Sequence, residues 1–466
     1  MRHRVIGIET EYGLTCATRS GAPPTHDADA AARLLFAPLA LSGRAPNVYL
    51  RNGGRLYLDV GAHPEYATAE CDSFEDLLAQ HRCGDELLNQ LNYRTRAELE
   101  GLADPERIYL FRNNVDSAGN SFGCHENYLL HRRRDFRQVA QGLVAFFVTR
   151  LVLVSAGHLR RSGSKLAYCF SQRAEQMWEA ISSATTRTRP IINTRDEPLA
   201  DAGQYRRLHV ISGDTNVCEA TTFLKVGMTS LVLDAVEDGM NLSDLELADP
   251  MLAIRQINQD LSAQVKVPMA HGGELSALDI QERILQRVID VLGIDIGDSS
   301  CDTSTRQVID LWQRALAAMR SGDWSSVDRE LDFAIKFRLI QEYLKRKQTT
   351  LDDPRVARLL LSYHDIGPNG LRRGLENSGL MRRLTTDDHV QQACIQAPRS
   401  TRAHLRSSII NAADAAGVEL AIDWVRASRI DDPSRYVLMN DPFATGSESV
   451  DQFISGLRAR DEFLPA

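Results

Sequence analysis

Lysine is nearly missing from this chain. Its 466 residues hold six lysines, at 165, 225, 266, 336, 345 and 347, against 48 arginines, and the first 164 residues contain none. Coding by a GC-rich genome accounts for such a bias. A second hypothesis is that an enzyme acting on lysine amines avoids modifying itself, which heavy self-modification at those six positions, read by mass spectrometry, would remove. Long apolar runs are also missing. The most apolar stretch, Gly142 to Gly157, is short and contains Arg150, so it reads as a buried helix and not a membrane span. Ile6 lies beside Glu9 and Glu11, so no signal peptide is expected. The eight cysteines (16, 71, 83, 124, 169, 218, 301 and 394) show no Cys-x-x-Cys spacing, which argues against zinc and redox motifs and suits a reducing cytoplasm. There is no Gly-x-x-x-x-Gly-Lys-Ser/Thr loop, no dinucleotide fingerprint, no Gly-x-Ser-x-Gly elbow and no internal repeat. A net charge of −8 argues against general nucleic-acid binding.

What remains is ordinary soluble material, 43% hydrophobic and 25% charged, in a chain long enough for more than one domain. Strand patterns fall on Arg4–Tyr12, Val48–Leu50, Arg55–Val60, Arg107–Arg112, Gly123–Leu130 and Arg207–Ser212. Helical patterns fall on Asp27–Ala37, Ser73–Leu91, Phe136–Ser155, Thr229–Glu237, Asp279–Leu292, Arg306–Met319 and about Ser325 to Lys347. Strands come early and helices dominate later without regular alternation, which favours an α+β fold. A boundary is expected near Gln396–Ser400, dividing a body of 1–396 from a tail of 397–466. The tail holds a helix around Thr401–Ala416, the segments Val418–Ala421 and Asp423–Val425, and a last helix near Ser447–Arg458.

The chemistry concentrates in a few runs. Arg55, Tyr57 and Asp59 alternate with Leu56, Leu58 and Val60, so the polar three share one strand face. After a break from Gly61 to Pro64 come Glu65 and Glu70. Glu9 and Glu11 also point the same way on a strand. Carboxylates that close need a cation between them, or one of them keeps its proton. Mg²⁺ takes oxygen ligands and leaves positions for substrate phosphates. His125 and Asn127 share a face, suited to a phosphate oxygen or a metal-bound water. Arg187, Arg189 and Arg195 lie in a Thr/Pro/Asn-rich stretch, and Arg206, Arg207 and His209 follow. Guanidinium groups pair bidentately with phosphate and carboxylate oxygens. Read from residues alone, this is a cytosolic enzyme using Mg²⁺ and ATP on an antiparallel sheet.

The runs Gly7–Tyr12, Arg55–Val60, His63–Asp72, Asn120–Tyr128, Ser182–Arg187, Arg189–Pro198 and Tyr205–Val210, with Tyr363–Ile366, Thr401–Ala403 and Asp423–Val425, resemble the Pup–protein ligase family from end to end. The resemblance implies a glutamine-synthetase-like carboxylate–amine ligase core with a largely antiparallel sheet cradle packed by helices, plus a small C-terminal domain that completes the nucleotide site. It implies Glu9, Tyr57 and Glu65 as Mg²⁺ ligands, Arg55, Thr68 and Trp424 as ATP contacts, and Asp59 as catalytic base. Glu11 and His125 are added as metal candidates, and Arg187 and Arg207 as nucleotide candidates, with Arg189 and His209, from the physical reading. One departure stands out: after Tyr363–Ile366 the loop runs Gly367-Pro368-Asn369-Gly370, with the arginines displaced to Arg372 and Arg373.

The implied reaction uses ATP to phosphorylate the side-chain carboxylate of the C-terminal glutamate of Pup, the prokaryotic ubiquitin-like protein. A substrate lysine then displaces phosphate to form an isopeptide bond, marking proteins for the proteasome. The partners are Pup and lysine-bearing proteins, with no nucleic acid and no membrane. The rivals are the sister depupylase/deamidase of the same fold and a small-molecule glutamate–amine ligase. The sister begins with a Gly-Thr-Glu-x-Glu type motif and carries a long inserted loop, whereas here Gly7-Ile8-Glu9-Thr10-Glu11 is followed by only a short Cys16–Asn47 segment.

Overall fold

In the computed structural model, residues 2–41, 47–59, 61–116, 118–163, 165–184 and 189–458 are described. An eight-stranded sheet organises the body. Its strands are β1 (Ile6–Glu11), β2 (Asn47–Tyr49), β3 (Arg55–Leu58), β4 (Pro64–Ala67), β5 (Cys124–His131), β6 (Glu179–Ser182), β7 (Pro190–Asn193) and β8 (Tyr205–Val210), in the spatial order β6-β7-β8-β5-β1-β4-β3-β2. Every pairing is antiparallel except β6 with β7. The fold is α+β, as the element pattern suggests.

One face of this sheet is apolar because its strands alternate. Ile6, Ile8, Cys124, Tyr128, Leu130, Leu208 and Val210 pack into the main core with α2 (Phe136–Thr149) and α3 (Glu219–Glu237). Glu126 also points into this side, where Arg150 pairs with it at 2.5 Å, so His125 and Asn127 are left on the opposite face. A second apolar cluster joins Tyr12, Leu56, Tyr66, Leu88 and Leu91, tying β3 and β4 to α1 (Phe74–Glu100). Ser73 caps α1 by accepting a hydrogen bond from the Asp76 amide.

Three expectations are corrected. Pro64, expected to close the break from Gly61, instead opens a strand, Pro64–Ala67, that is buried along its whole length between β1 and β3. The helix α3 starts at Glu219, well before Thr229; its residues from Glu219 to Val236 are all buried, so no amphipathic period marks its beginning. The expected helix from Ser325 to Lys347 is split into a short turn at Trp324–Ser326 and a helix over Asp332–Lys347. Leu331 is extended there, which brings Asp332 to the start of α3, where it accepts from the amides of Val217 and Cys218 and from the Tyr363 hydroxyl.

The C-terminal residues build a three-stranded sheet, β9 (Leu420–Ile422), β10 (Arg426–Arg429) and β11 (Tyr436–Leu438), flanked by helices Ala403–Ala416 and Glu448–Arg458. Leu405, Ile409, Ala427, Val437, Met439 and Val450 form its own apolar cluster. It is fastened to the body through Glu70, which receives Arg402 Nε at 2.8 Å and Arg406 Nη1 at 3.0 Å. Arg406 also donates to the Gly53 carbonyl at 2.7 Å.

Candidate active site

Strand register assembles the site. Glu9 lies opposite His125 on one side and Ala67 on the other, Glu11 opposite Glu65, Glu65 opposite Tyr57, Arg55 opposite Ala67, and His209 opposite Asn127. Directly paired residues share a face, so all these polar side chains rise from the side of the sheet away from the main core. Asp59 follows at the end of β3, where a tight turn returns the chain: the Asp59 amide donates to the His63 carbonyl at 2.9 Å. Gly61 and Ala62 adopt positive φ angles of 88° and 60° in that turn.

The acidic residues sort into two adjacent clusters. The ligand atoms of Glu11, Asp59 and Glu65 lie within 4.8 Å of one another, as do those of Glu9, His125 and His209. His125 Nδ1 is 3.1 Å from Glu9 Oε2, and Asn127 Nδ2 donates to Glu9 Oε1 at 2.9 Å. Arg207 Nη1 donates to Asn127 Oδ1 at 3.1 Å and lies 3.9 Å from Glu9 Oε1. The His125 and His209 rings meet edge to face at 5.1 Å between centroids, and His209 Nε2 is buried without a partner among the described residues. Gly123 leaves them room, since a Cβ there would fall 2.6 Å from Glu11 Oε1 and onto the His125 ring, and both side chains would have to shift.

The electrostatics follow from this crowding. Burial alone would raise the Glu9 carboxyl, but hydrogen bonding to His125 and the charge of Arg207 hold it well below the ordinary carboxylate range. Glu65 moves the other way: burial, then the charges of Glu9 and Glu11, push it well up. Burial, Glu9 and Glu65 likewise raise the Tyr57 phenol, which hydrogen-bonds Glu65. Burial lowers the His209 imidazole to about 3. An all-oxygen set of three crowded carboxylates, whose mutual repulsion a cation would relieve, fits a hard divalent cation such as Mg²⁺. The Glu9 cluster with its two imidazoles is a mixed nitrogen and oxygen set.

Next to this face lies a cleft of about 80 Å³, lined by Gly7, Glu9, Ala67, Thr68, Glu70, Asn127, Arg207, Arg402 and Trp424 among others. Thr68 is buried, and its Oγ1 accepts the Ile8 amide at 3.1 Å. Arg55 sits over the Tyr57 ring at 4.2 Å and donates to Asn47 Oδ1 at 2.8 Å. Trp424 packs edge-on to Tyr49 at 5.1 Å and under Arg406 at 4.8 Å, in the connection between β9 and β10. Thus Glu9, Glu11, Arg55, Tyr57, Asp59, Glu65, Thr68, His125, Arg207 and Trp424 border one continuous region. Arg187 lies outside the described residues. Glu70, read from sequence as one of the converging carboxylates, instead neutralises Arg402 and Arg406, and burial against those cations leaves it at about 2 although burial alone would raise it. Arg372 is buried and pairs with Asp85, so the displaced arginine of the Gly367–Gly370 loop serves the core. Sequence reasoning missed Arg173 and Arg406; both are arginines without a periodic pattern, and only their burial distinguishes them from a solvated charge.

Fold and face together define an α+β enzyme whose antiparallel sheet presents carboxylates and imidazoles beside a mainly apolar cleft. A family model described as Pup-ligase protein matches residues 4–428, and the chain belongs to the Pup-ligase family. It is 49% identical to a Pup–protein ligase of Xylanimonas cellulosilytica, covering 98% of this chain and 100% of that one. It is 45% identical to the Pup–protein ligase of Mycolicibacterium smegmatis, with 98% and 100% covered. Among solved structures it resembles the ligase PafA in complex with Pup, with a TM-score of 0.90 and 40% identity over 98% of this chain and 92% of that chain. It also resembles PafA in complex with ADP, with a TM-score of 0.83 and 40% identity over 94% and 95%.

Proposed function

We propose that this chain is an ATP-dependent ligase that activates the C-terminal glutamate of Pup and joins it to substrate lysines. The observation that carries this reading is the convergence of Glu9, Glu11, Asp59 and Glu65, from two strands and the turn that ends a third, at the mouth of a cleft bounded by Thr68 and Trp424. A small apolar-walled cleft leading to charged oxygens suits a nucleotide whose base sits deep and whose phosphates reach the carboxylates. Family membership and the likeness to PafA bound to Pup and to ADP support the same substrates here.

Mg²⁺ would be held by Glu9, Tyr57, Glu65 and Glu11 with His125, and when bound it neutralises phosphate charge. Arg55 and Arg207 orient the nucleotide, and Trp424 stacks on it. ATP transfers its terminal phosphoryl group to the γ-carboxylate of the glutamate, giving an acyl phosphate, because a free carboxylate is a poor electrophile. A lysine ammonium has a pKa near ~10.4 and must lose a proton before it attacks. Asp59, at the turn end of β3, accepts that proton. Residues 1–396 form the catalytic unit and 397–466 the small unit that closes the nucleotide cleft. Lysine-bearing proteins and, downstream, the proteasome are the remaining partners. No helix among the described residues is long and apolar enough to cross a membrane.

The test is incubation with ATP, a Pup ending in glutamate and a lysine-bearing protein. An isopeptide conjugate with stoichiometric ADP supports the reading. Release of Pup from a preformed conjugate, with no net ADP, would replace it with the depupylase reading.

A further inference from the structure

His63 closes the turn that carries Asp59, and no step of the mechanism uses it. The turn is drawn tight: the Asp59 amide donates to the His63 carbonyl at 2.9 Å and the Ala62 amide to the Asp59 carbonyl at 3.1 Å. Gly61 and Ala62 both sit at positive φ, an unfavourable conformation for a residue with a Cβ, kept only where the surroundings fix it.

The half-buried His63 side chain ties this turn to two other parts of the chain. Its Nδ1 lies 3.0 Å from the Tyr12 carbonyl oxygen. A carbonyl only accepts, so Nδ1 carries the proton and donates it. The ring lies face to face on buried Phe122, with 4.4 Å between centroids and 25° between planes. Both contacts end beside Glu11. Tyr12 follows it in the chain, and Phe122 precedes Gly123, whose carbonyl accepts the Glu11 amide at 3.1 Å. Tyr12 is itself firmly held: its amide donates to the Pro64 carbonyl and its hydroxyl to Asp85 Oδ1, each at 2.8 Å. One imidazole thus braces the Asp59 turn against the end of β1, where the ligand atoms of Glu11, Asp59 and Glu65 lie within 4.8 Å of one another.

We propose that His63 is the positioning residue for Asp59, acting as a fixed neutral donor to the Tyr12 carbonyl. This inference rests on the ligase reading. In the transfer step the amine nitrogen bonds to the γ-carbonyl carbon, and the bond from that carbon to the phosphate oxygen breaks with its electron pair leaving on phosphate. The amine proton passes to the Asp59 carboxylate. A base displaced by a fraction of an ångström loses hydrogen-bond reach to that proton, so the brace acts on rate and not on substrate binding. His63 takes no proton itself.

The test compares two acceptors in the full chain, with ATP and Pup present throughout. A lysine-bearing protein needs a base to take its proton; hydroxylamine, already neutral near pH 7, traps the acyl phosphate as a hydroxamate without one. His63→Phe keeps a ring to stack on Phe122 and removes the donor. In that variant kcat for lysine falls by about tenfold or more, while KM for Pup and the hydroxamate rate stay at their wild-type values. His63→Asn, whose amide can donate to the Tyr12 carbonyl, loses less of the lysine rate than His63→Phe. Circular dichroism verifies folding, and His63→Leu replaces His63→Phe if the latter does not fold. Equal loss with both acceptors overturns the proposal, because the residue would then support the whole site and not Asp59. A wild-type lysine rate in His63→Phe overturns it too, as does an Asn variant as slow as the Phe one. Absence of hydroxamate with wild-type protein would sink the ligase reading separately.

Discussion

Asp59 and Glu65 show how position, not residue type, assigns a role. Both are carboxylates of the same cluster, yet Glu65 is buried on a strand between like charges that push its carboxyl well up, while Asp59 stands half-buried in the turn that ends β3. Its partial exposure at the strand end is what supports Asp59 as the proposed group to meet an incoming amine. Asp59→Asn keeps the side chain's shape and removes its basicity. Nucleotide binding is therefore expected to persist while conjugation falls by about 100-fold or more, the usual worth of a general base; equilibrium binding of ATP and gel-resolved conjugate formation check the two halves. Normal ligation by that variant refutes the assignment. Glu9, Tyr57 and Asp59 were legible from alternation alone. Arg173 was not, since a lone arginine after Ser171-Gln172 carries no sequence sign that it is buried.

Elements explain why the small C-terminal sheet matters. Glu70 follows β4 directly and receives Arg402 and Arg406 from the helix Ala403–Ala416 and the residue before it, so the same chain segment that carries Glu65 and Thr68 also anchors the β9–β11 unit. Glu70→Gln leaves two buried guanidinium groups without their counter-charge, and a loss of about 3 kcal/mol is expected, read as a shift in the urea midpoint at neutral pH. The sign with pH is fixed by the depressed carboxyl: its stabilisation is complete above the ordinary value of 4.5 and disappears as pH falls toward about 2. The gap in midpoint between wild type and variant should therefore narrow between those values. A gap independent of pH across that window would show that Glu70 acts by packing and not by charge.

At the scale of the molecule, the cleft proposed for the nucleotide is shared between distant parts of the chain. Its floor comes from β1, β4 and β5, and Trp424 arrives from the connection between β9 and β10, some 350 positions later in sequence. Trp424→Ala removes a stacking surface and should weaken ATP binding by about tenfold, since aromatic–base stacking contributes about 1–3 kcal/mol; fluorescence titration with a labelled nucleotide reads it. Affinity equal to wild type would place the base elsewhere. The lysine scarcity also acquires a structural side: Lys225 and Lys336 are buried, so only Lys165, Lys266, Lys345 and Lys347 present amines to solvent.

The chain by itself determined which faces its strands would turn outward. A period of two in Gly7–Tyr12, Arg55–Val60 and Cys124–Leu130 separates polar from apolar side chains whatever lies beside them, and it placed Glu9 with Glu11, Tyr57 with Asp59, and His125 with Asn127. It also showed α+β character, since early alternation and later helical periods survive without long-range information. Tertiary structure alone decided which strands became neighbours, and so that Glu65 meets Glu11 while Glu70 turns away to two arginines. Pairing of segments dozens to hundreds of residues apart is set by the shared core behind the sheet, and a buried helix such as α3, apolar all round, leaves no periodic trace of where it begins.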